Sequence, residues 1–286
     1  MQVRFAISAG ARPPEREPLT LLVKQGDALG FDAIWFSDLG ILPSTDPLLS
    51  VAMAAACSDR VKLGMTIIPF GYTPYVFARQ LAQADRLSSG RLRIMIVPGL
   101  DGPGERRALG IEGRDRQRLL DDLIPTLRAL WAGEAPPPDP QTGVALPALG
   151  VRPVQQPLQI WLAGKGPKSI ARAGRLGDGW RGGAAPPAEA KNYIDRIQRE
   201  AAAVGRRIDP ENFGMTVAYA RDEQDAQHTS HFGEAPAAVG KGPLRELLSR
   251  LIDVGMSKFS LRRLSPVRAW RDELDWLADA VLDLQS

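Results

Sequence analysis

The sequence predicts a (β/α)8 barrel, an α/β fold of the TIM-barrel type. Short apolar, β-prone runs alternate with amphipathic helical stretches along the whole chain. The alternation repeats about eight times, the number that closes a parallel barrel. Proline recurs at helix starts and glycine just past helix ends, the positions each residue favours for steric reasons. The 286 residues are read as a single barrel domain spanning 1–286, and the 44% hydrophobic content is enough for its core.

Residues 3–8 form the first strand, and Leu19, Leu22, Gly26 and Leu29 mark one face of the helix that follows, with Gly30 beyond its end. Residues 33–36 give a second buried strand. Asp46 and Pro47 then read as cap and first residue of a helix reaching to about Ser58. The third unit is a strand over 61–68 and a helix over 74–89, stopped by Gly90. The fourth is a strand over 92–97, a long loop, and a helix over 115–131 that Pro125 should kink. The Pro-rich stretch 135–157 is a surface excursion between units, since the composition is the same on both sides. A strand over 158–163 leads to a helix over 167–176, a short strand around Trp180 and a helix ending at Gly205. The seventh strand covers 213–220, and the polar segment 221–240 reads as a mobile loop. A helix over 243–254, a strand over 258–264 and a last amphipathic helix carrying Trp270, Leu274, Leu277 and Val281 complete the count. An open doubly wound sheet is the alternative, but it usually has fewer units, and no GxGxxG follows the first strand.

The formal net charge is only +3, and although arginine outnumbers lysine 29 to 7, no Lys/Arg run exceeds two residues. This argues against a nucleic-acid partner. No stretch approaches the ~20 apolar residues of a membrane span. Residues 1–10 lack the features of a signal peptide, so a soluble cytoplasmic protein is expected. The single cysteine, Cys57, lies in an apolar run and reads as a buried, inert thiol. His228 and His231 are the only histidines. They lie in the polar 221–240 segment with no convincing carboxylate or cysteine cluster, so no metal site is expected.

In such a barrel chemistry collects at the C-terminal ends of the strands. The most informative segment there runs from Ile160 through Ala163-Gly164-Lys165-Gly166 to Pro167-Lys168-Ser169. A buried strand enters a glycine turn and then a helix start, where free N–H groups and the helix dipole favour an anion. It is not a Walker A loop, and an ordinary strand-to-helix turn shaped by glycine is the alternative reading of the same residues.

Several segments, taken in order, resemble the bacterial-luciferase-like superfamily and its F420-dependent reductases. These are residues 29–38 (LGFDAIWFSD), 59–66 (DRVKLGMT), Pro74 through Ala78-Arg79, 87–92 (LSSGRL), Glu105 with Ala108-Leu109-Gly110, and 176–180 (LGDGW). The resemblance implies a flavin-type cofactor across the barrel mouth. Its phosphate would be held by Ala163, Gly164, Lys165 and Gly166 together with Gly179 and Trp180. It also implies a close backbone approach at Gly99 and a non-prolyl cis peptide near Thr66-Ile67 backing the ring. Asp38 matches the acidic half of the family's frequent Asp-His pair, as a contact to the ring or substrate; its alternative role is a cap for the following loop. Leu39 stands where many relatives have histidine, and leucine cannot move a proton, which argues against alcohol oxidation. Asp101 and Tyr72 are the remaining candidate acids, and Phe70, Tyr72 and Tyr75 suggest an aromatic pocket mouth. Coenzyme F420 is the expected cofactor, with FMN the alternative. The expected reaction is hydride transfer with a small organic substrate, reduction favoured. An FMN-dependent monooxygenase, or a cofactor-binding homologue without turnover, are the other readings. The superfamily's frequent dimers imply a homodimer.

Overall fold

The computed structural model describes residues 1–10, 15–41, 44, 46–136, 138, 143–229 and 234–286. Eight parallel strands form the barrel: β1 (Arg4–Ser8), β2 (Ala33–Ser37), β3 (Lys62–Ile67), β4 (Leu92–Ile96), β5 (Ile160–Leu162), β6 (Gly179–Gly182), β7 (Phe213–Ala220) and β9 (Lys258–Arg263). Each pairs with the next, β6 pairs with β7, and β1 pairs with β9 through Ala6↔Ser260 to close the ring. The helices between them are α1 (Arg16–Leu29), α2 (Pro47–Ala55), α3 (Pro74–Leu87), α5 (Arg116–Ala132), α6 (Pro167–Leu176), α7 (Pro187–Ala202), α8 (Lys241–Asp253) and α9 (Trp270–Val281).

The local signals operate as expected. Asp46 caps α2 by accepting from the Leu48 and Leu49 N–H groups, with Pro47 at the first helical position. Gly30 and Gly133 end α1 and α5 in the left-handed conformation, and Pro125 lies inside α5. Two elements were not anticipated. A one-and-a-half-turn helix, α4 (Pro103–Ala108), sits in the loop after β4; a two-residue strand, β8 (Ala238–Val239), pairs with the end of β7. Both are too short for a periodic sequence signal.

The described start of the segment after β7, residues 221–229, is tied to the barrel. Buried Asp225 accepts from the Arg221 N–H at 2.8 Å and from Arg263 Nε on β9 at 3.0 Å. The end of β3 corrects another expectation. The peptide between Thr66 and Ile67 is trans, and the cis bond among the described residues is Gln156–Pro157. β3 keeps its parallel register with β4 through Thr66↔Met95 and Ile67↔Ile96, so the pairing holds this backbone extended.

Two apolar layers result from the alternation of side chains along each strand. The outer layer, between barrel and helices, contains Phe5, Ile34, Ile67, Trp180 and Phe213. The inner one, in the lumen, is a separate cluster of Trp35, Met95 and Trp161, flanked by Val97 and Ala163. Glycines make room for it. A Cβ on Gly64 would overlap the Trp35 indole, and one on Gly179 would lie 2.5 Å from the Trp161 ring. Gly64→Ala therefore overpacks the lumen and should cost about 1–3 kcal/mol of stability. Chemical denaturation measures this, and an unchanged midpoint would mean that Trp35 moves aside freely.

Candidate functional site

The upper lumen and the C-terminal loops form the candidate site. Its floor is Trp35, Thr66, Met95, Trp161 and Arg181, each buried but for a sliver. The polar members are locked to one another. Thr66 Oγ1 accepts from Trp35 Nε1 at 2.7 Å and from Arg181 Nη2 at 3.4 Å, while the Arg181 guanidinium lies 3.6 Å from the Trp35 ring centroid. Nothing in local sequence marks Trp35 and Arg181 as site residues. They become visible only when strand alternation is combined with barrel closure.

The glycine turn is on the rim. Gly164 has φ +103°, and a Cβ there would lie 2.7 Å from Ser169 Oγ. Gly166 precedes α6 and leaves its first turn without a side-chain cap. Lys165 and Gly166 are exposed and Ala163 and Gly164 half-buried, so the free N–H groups face solvent. Lys165 Nζ donates to the Ala184 carbonyl at 3.1 Å, which ties the turn to the loop after β6. The turn thus offers uncompensated donors at the positive end of a helix.

Asp38, at the end of β2, accepts from the Gly40 N–H at 2.8 Å and the Ile68 N–H at 3.3 Å. The capping role is therefore realised. Burial raises the Asp38 pKa, and the two backbone hydrogen bonds only partly oppose this. Glu105, on α4, lies against the same backbone from the other side. A Cβ on Gly40 would overlap its Oε1, and one on Gly99 would lie 3.2 Å from it. Gly99 (φ +70°) thus has its side-chain space taken by Glu105, and its carbonyl accepts from Arg116 Nη1 at 2.9 Å. Glu105 is 2% exposed, and among the described residues the Leu100 N–H is the group its carboxylate can draw on, without a hydrogen bond of good geometry. Its pKa is raised by burial and by the Asp38 and Asp101 charges, against the pull of Arg116 and of the Leu100 N–H.

Other expected site residues are committed elsewhere. Asp101 forms ion pairs with Arg106 at 2.5 Å and Arg116 at 3.6 Å, which tie the loop after β4 together. Tyr72 stacks on Phe77 and donates to Asp46 at 3.3 Å; burial and the Asp46 charge push its phenol up to about 12, leaving it a weak acid. Phe70 is buried in the outer layer and Tyr75 donates to the Ala148 carbonyl, so these aromatics pack the loops. Ile67 points into the outer layer, leaving only its backbone on the β3–β4 ladder.

Gly179 serves as a slot for Trp161. Trp180 is fully buried and donates to the Gly164 carbonyl at 3.0 Å, so it fixes the turn from behind. Cys57 is half-buried, its thiol donating to the Met53 carbonyl at 3.3 Å. His228 sits beside the Asp225 carbonyl, and His231 lies outside the described residues. Among the described residues no group of His, Cys, Asp and Glu could hold a metal, and no helix is long and apolar enough to cross a membrane.

A cavity of about 410 Å³ opens at the other end of the barrel, lined by Arg4, Arg60, Lys62 and Asp32 among others. Its cations are already paired with Asp32 and Asp27. The mouth, where donors stand free, is the better site.

A raised carboxyl pKa gives a pH signature. The folded state binds the Glu105 proton more tightly than the unfolded chain, so this group's contribution to stability falls as pH rises from the ordinary value of 4.5 through the raised one. Glu105→Gln removes that loss, and its melting temperature relative to the unsubstituted protein should climb between about pH 4 and pH 8. A constant difference across that range would show that Glu105 ionises normally.

The luciferase-like monooxygenase family matches residues 3–278. A Mycobacterium tuberculosis protein that bears the name coenzyme F420-dependent oxidoreductase Rv3520c is 29% identical over 224 residues, 71% of this chain and 61% of the relative. The F420-dependent glucose-6-phosphate dehydrogenase of Beutenbergia cavernae is 30% identical over 177 residues, 56% of this chain and 50% of the relative. The chain therefore spans less than two thirds of the length of either. Among solved structures, the coenzyme F420-dependent tetrahydromethanopterin reductase of Methanopyrus kandleri superposes with a TM-score of 0.79 at 16% identity, over 100% of both chains. A closed barrel, a glycine turn on its rim and a family match running almost end to end converge: the chain belongs to the luciferase-like monooxygenase family.

Proposed function

We propose that the protein is an oxidoreductase that binds coenzyme F420 in the barrel mouth and exchanges hydride with a small organic substrate, reduction favoured. The observation that carries this reading is the rim turn over Ala163, Gly164, Lys165 and Gly166. Its glycine backbone, exposed lysine and uncapped helix start fit the phosphate of a flavin-type cofactor. The names of the F420-dependent relatives favour the deazaflavin over FMN.

When bound, the cofactor supplies the hydride chemistry. The chain's residues hold and orient it. Trp180 and Ser169 set the turn, while Trp35, Thr66, Met95 and Trp161 give a firm, nearly dry floor. Asp38 is engaged by two backbone N–H groups, Asp101 by two arginines and Tyr72 by Asp46. Leu39 supplies no base. A mouth so poor in free proton acceptors suits reduction of an activated double bond better than alcohol oxidation, which needs a base to take the hydroxyl proton. Burial raises the pKa of Glu105, and the charge of nearby Asp38 adds to the rise, so this carboxyl holds its proton more tightly than a free one.

Titration of the purified protein with oxidised F420 and, in parallel, with FMN tests this. Saturable binding of F420 with weak binding of FMN is expected. Gly164→Ala, which forces a side chain onto a left-handed backbone against Ser169, should weaken F420 binding by about tenfold or more. Tight FMN binding instead would make the protein an FMN-dependent monooxygenase, to be followed by oxygen consumption. Binding of neither would overturn the reading. The exposed Leu49, Ala52 and Ala56 on and just past α2 suit a homodimer, and sedimentation velocity should show twice the monomer mass.

A further inference from the structure

Arg181 differs from the other cations that face the lumen. Arg4 and Lys62 pair with Asp32 at 3.5 and 2.8 Å, Lys258 with Glu211 at 3.9 Å, and Arg262 with Glu234. Arg93 donates to Gln155 Oε1 at 2.7 Å and to the Leu92 carbonyl. Arg181 makes no ion pair among the described residues. It is 5% exposed, and among the described residues its buried Nε has no partner and its one hydrogen bond is the 3.4 Å contact to Thr66. The Trp35 ring under it attracts the guanidinium without neutralising it. Burial alone lowers its pKa, to about 9, so it stays charged at neutral pH. A buried ion is normally paired.

We propose that Arg181 is a ligand-binding residue whose missing counter-charge is the anionic edge of a reduced redox ring. This rests on the cofactor reading above. A neutral ring that accepts a hydride gains one negative charge until it also takes up a proton. A guanidinium fixed between Trp35 and Thr66 in a nearly water-free floor stabilises that form far more than the neutral one, because no solvent must reorganise. Arginine fits the position better than lysine, since a planar cation can lie flat on the indole and still present its N–H edge. A carboxylate beside it would cancel the effect, and none stands there among the described residues.

The test is anaerobic titration of the unsubstituted protein, Arg181→Met and Arg181→Lys with oxidised and with reduced F420, together with the midpoint potential of the bound cofactor. Arg181→Met should bind the oxidised form within about threefold of the unsubstituted protein and the reduced form at least about tenfold more weakly, which lowers the bound two-electron potential by about 30 mV. Arg181→Lys should fall between, and it carries the test should the methionine variant fail to fold. Equal weakening of both forms, or none, would overturn the role of Arg181 while leaving the cofactor reading intact. Binding of neither form by the unsubstituted protein would overturn both.

Discussion

The structure depends on how the lumen is filled. Eight parallel strands enclose a space that must be packed, and here two indoles and a methionine occupy much of it. They fit because the neighbouring strands offer Gly64 beside Trp35 and Gly179 beside Trp161. The same packing makes the floor of the mouth. Trp35 holds Thr66 by a hydrogen bond and Arg181 by its ring face, so the base of any bound ligand would rest on groups whose positions the core already dictates. A floor built this way needs no loop to order it.

Two polar networks then fix the strands around that core. Asp178, just before β6, accepts from Arg128 at 2.8 Å, from Arg206 at 3.2 Å and from the Ile160 N–H at 2.9 Å, and so joins α5, β5 and β6 at the end away from the mouth. Glu273, nearly fully buried on α9, takes Tyr219 and Arg263, and Arg263 also holds Asp225. Buried charge is costly unless every partner is present, and here every partner is. The result is a loop after β7 that is anchored at its base while it reaches Arg262 through Glu234. The Leu-Gly-Asp-Gly-Trp segment thus combines three tasks: a network hub at Asp178, a slot at Gly179 and a brace for the rim turn at Trp180.

The mouth contrasts with these satisfied networks. Asp38 and Glu105 carry raised pKa values, and among the described residues Arg181 has no counter-ion. Uncompensated groups cost stability, so their presence in the mouth is the pattern expected where stability is traded for binding.

The barrel was largely legible in the sequence, because helix and strand periodicities, Pro-opened helices and Gly ends are local properties. β7 has the expected bounds, and most other strands and helices differ only at their ends. α4 and β8 were not legible, since such short elements exist only through their tertiary contacts. The rim turn was also visible in the sequence, because a strand, two glycines and a helix start are contiguous there. The floor was not. Trp35, Thr66 and Arg181 come from three strands, and only the alternation of side chains around a closed barrel brings them together. Sequence alone could name Asp101 and Tyr72 as acids by residue type. Their ion pairs and hydrogen bonds, formed with residues that folding places beside them, decide that they are engaged elsewhere. Local chemistry thus determined the frame and the rim turn. The floor and the availability of each ionisable group were decided by tertiary packing, because both depend on which strands and loops meet in space.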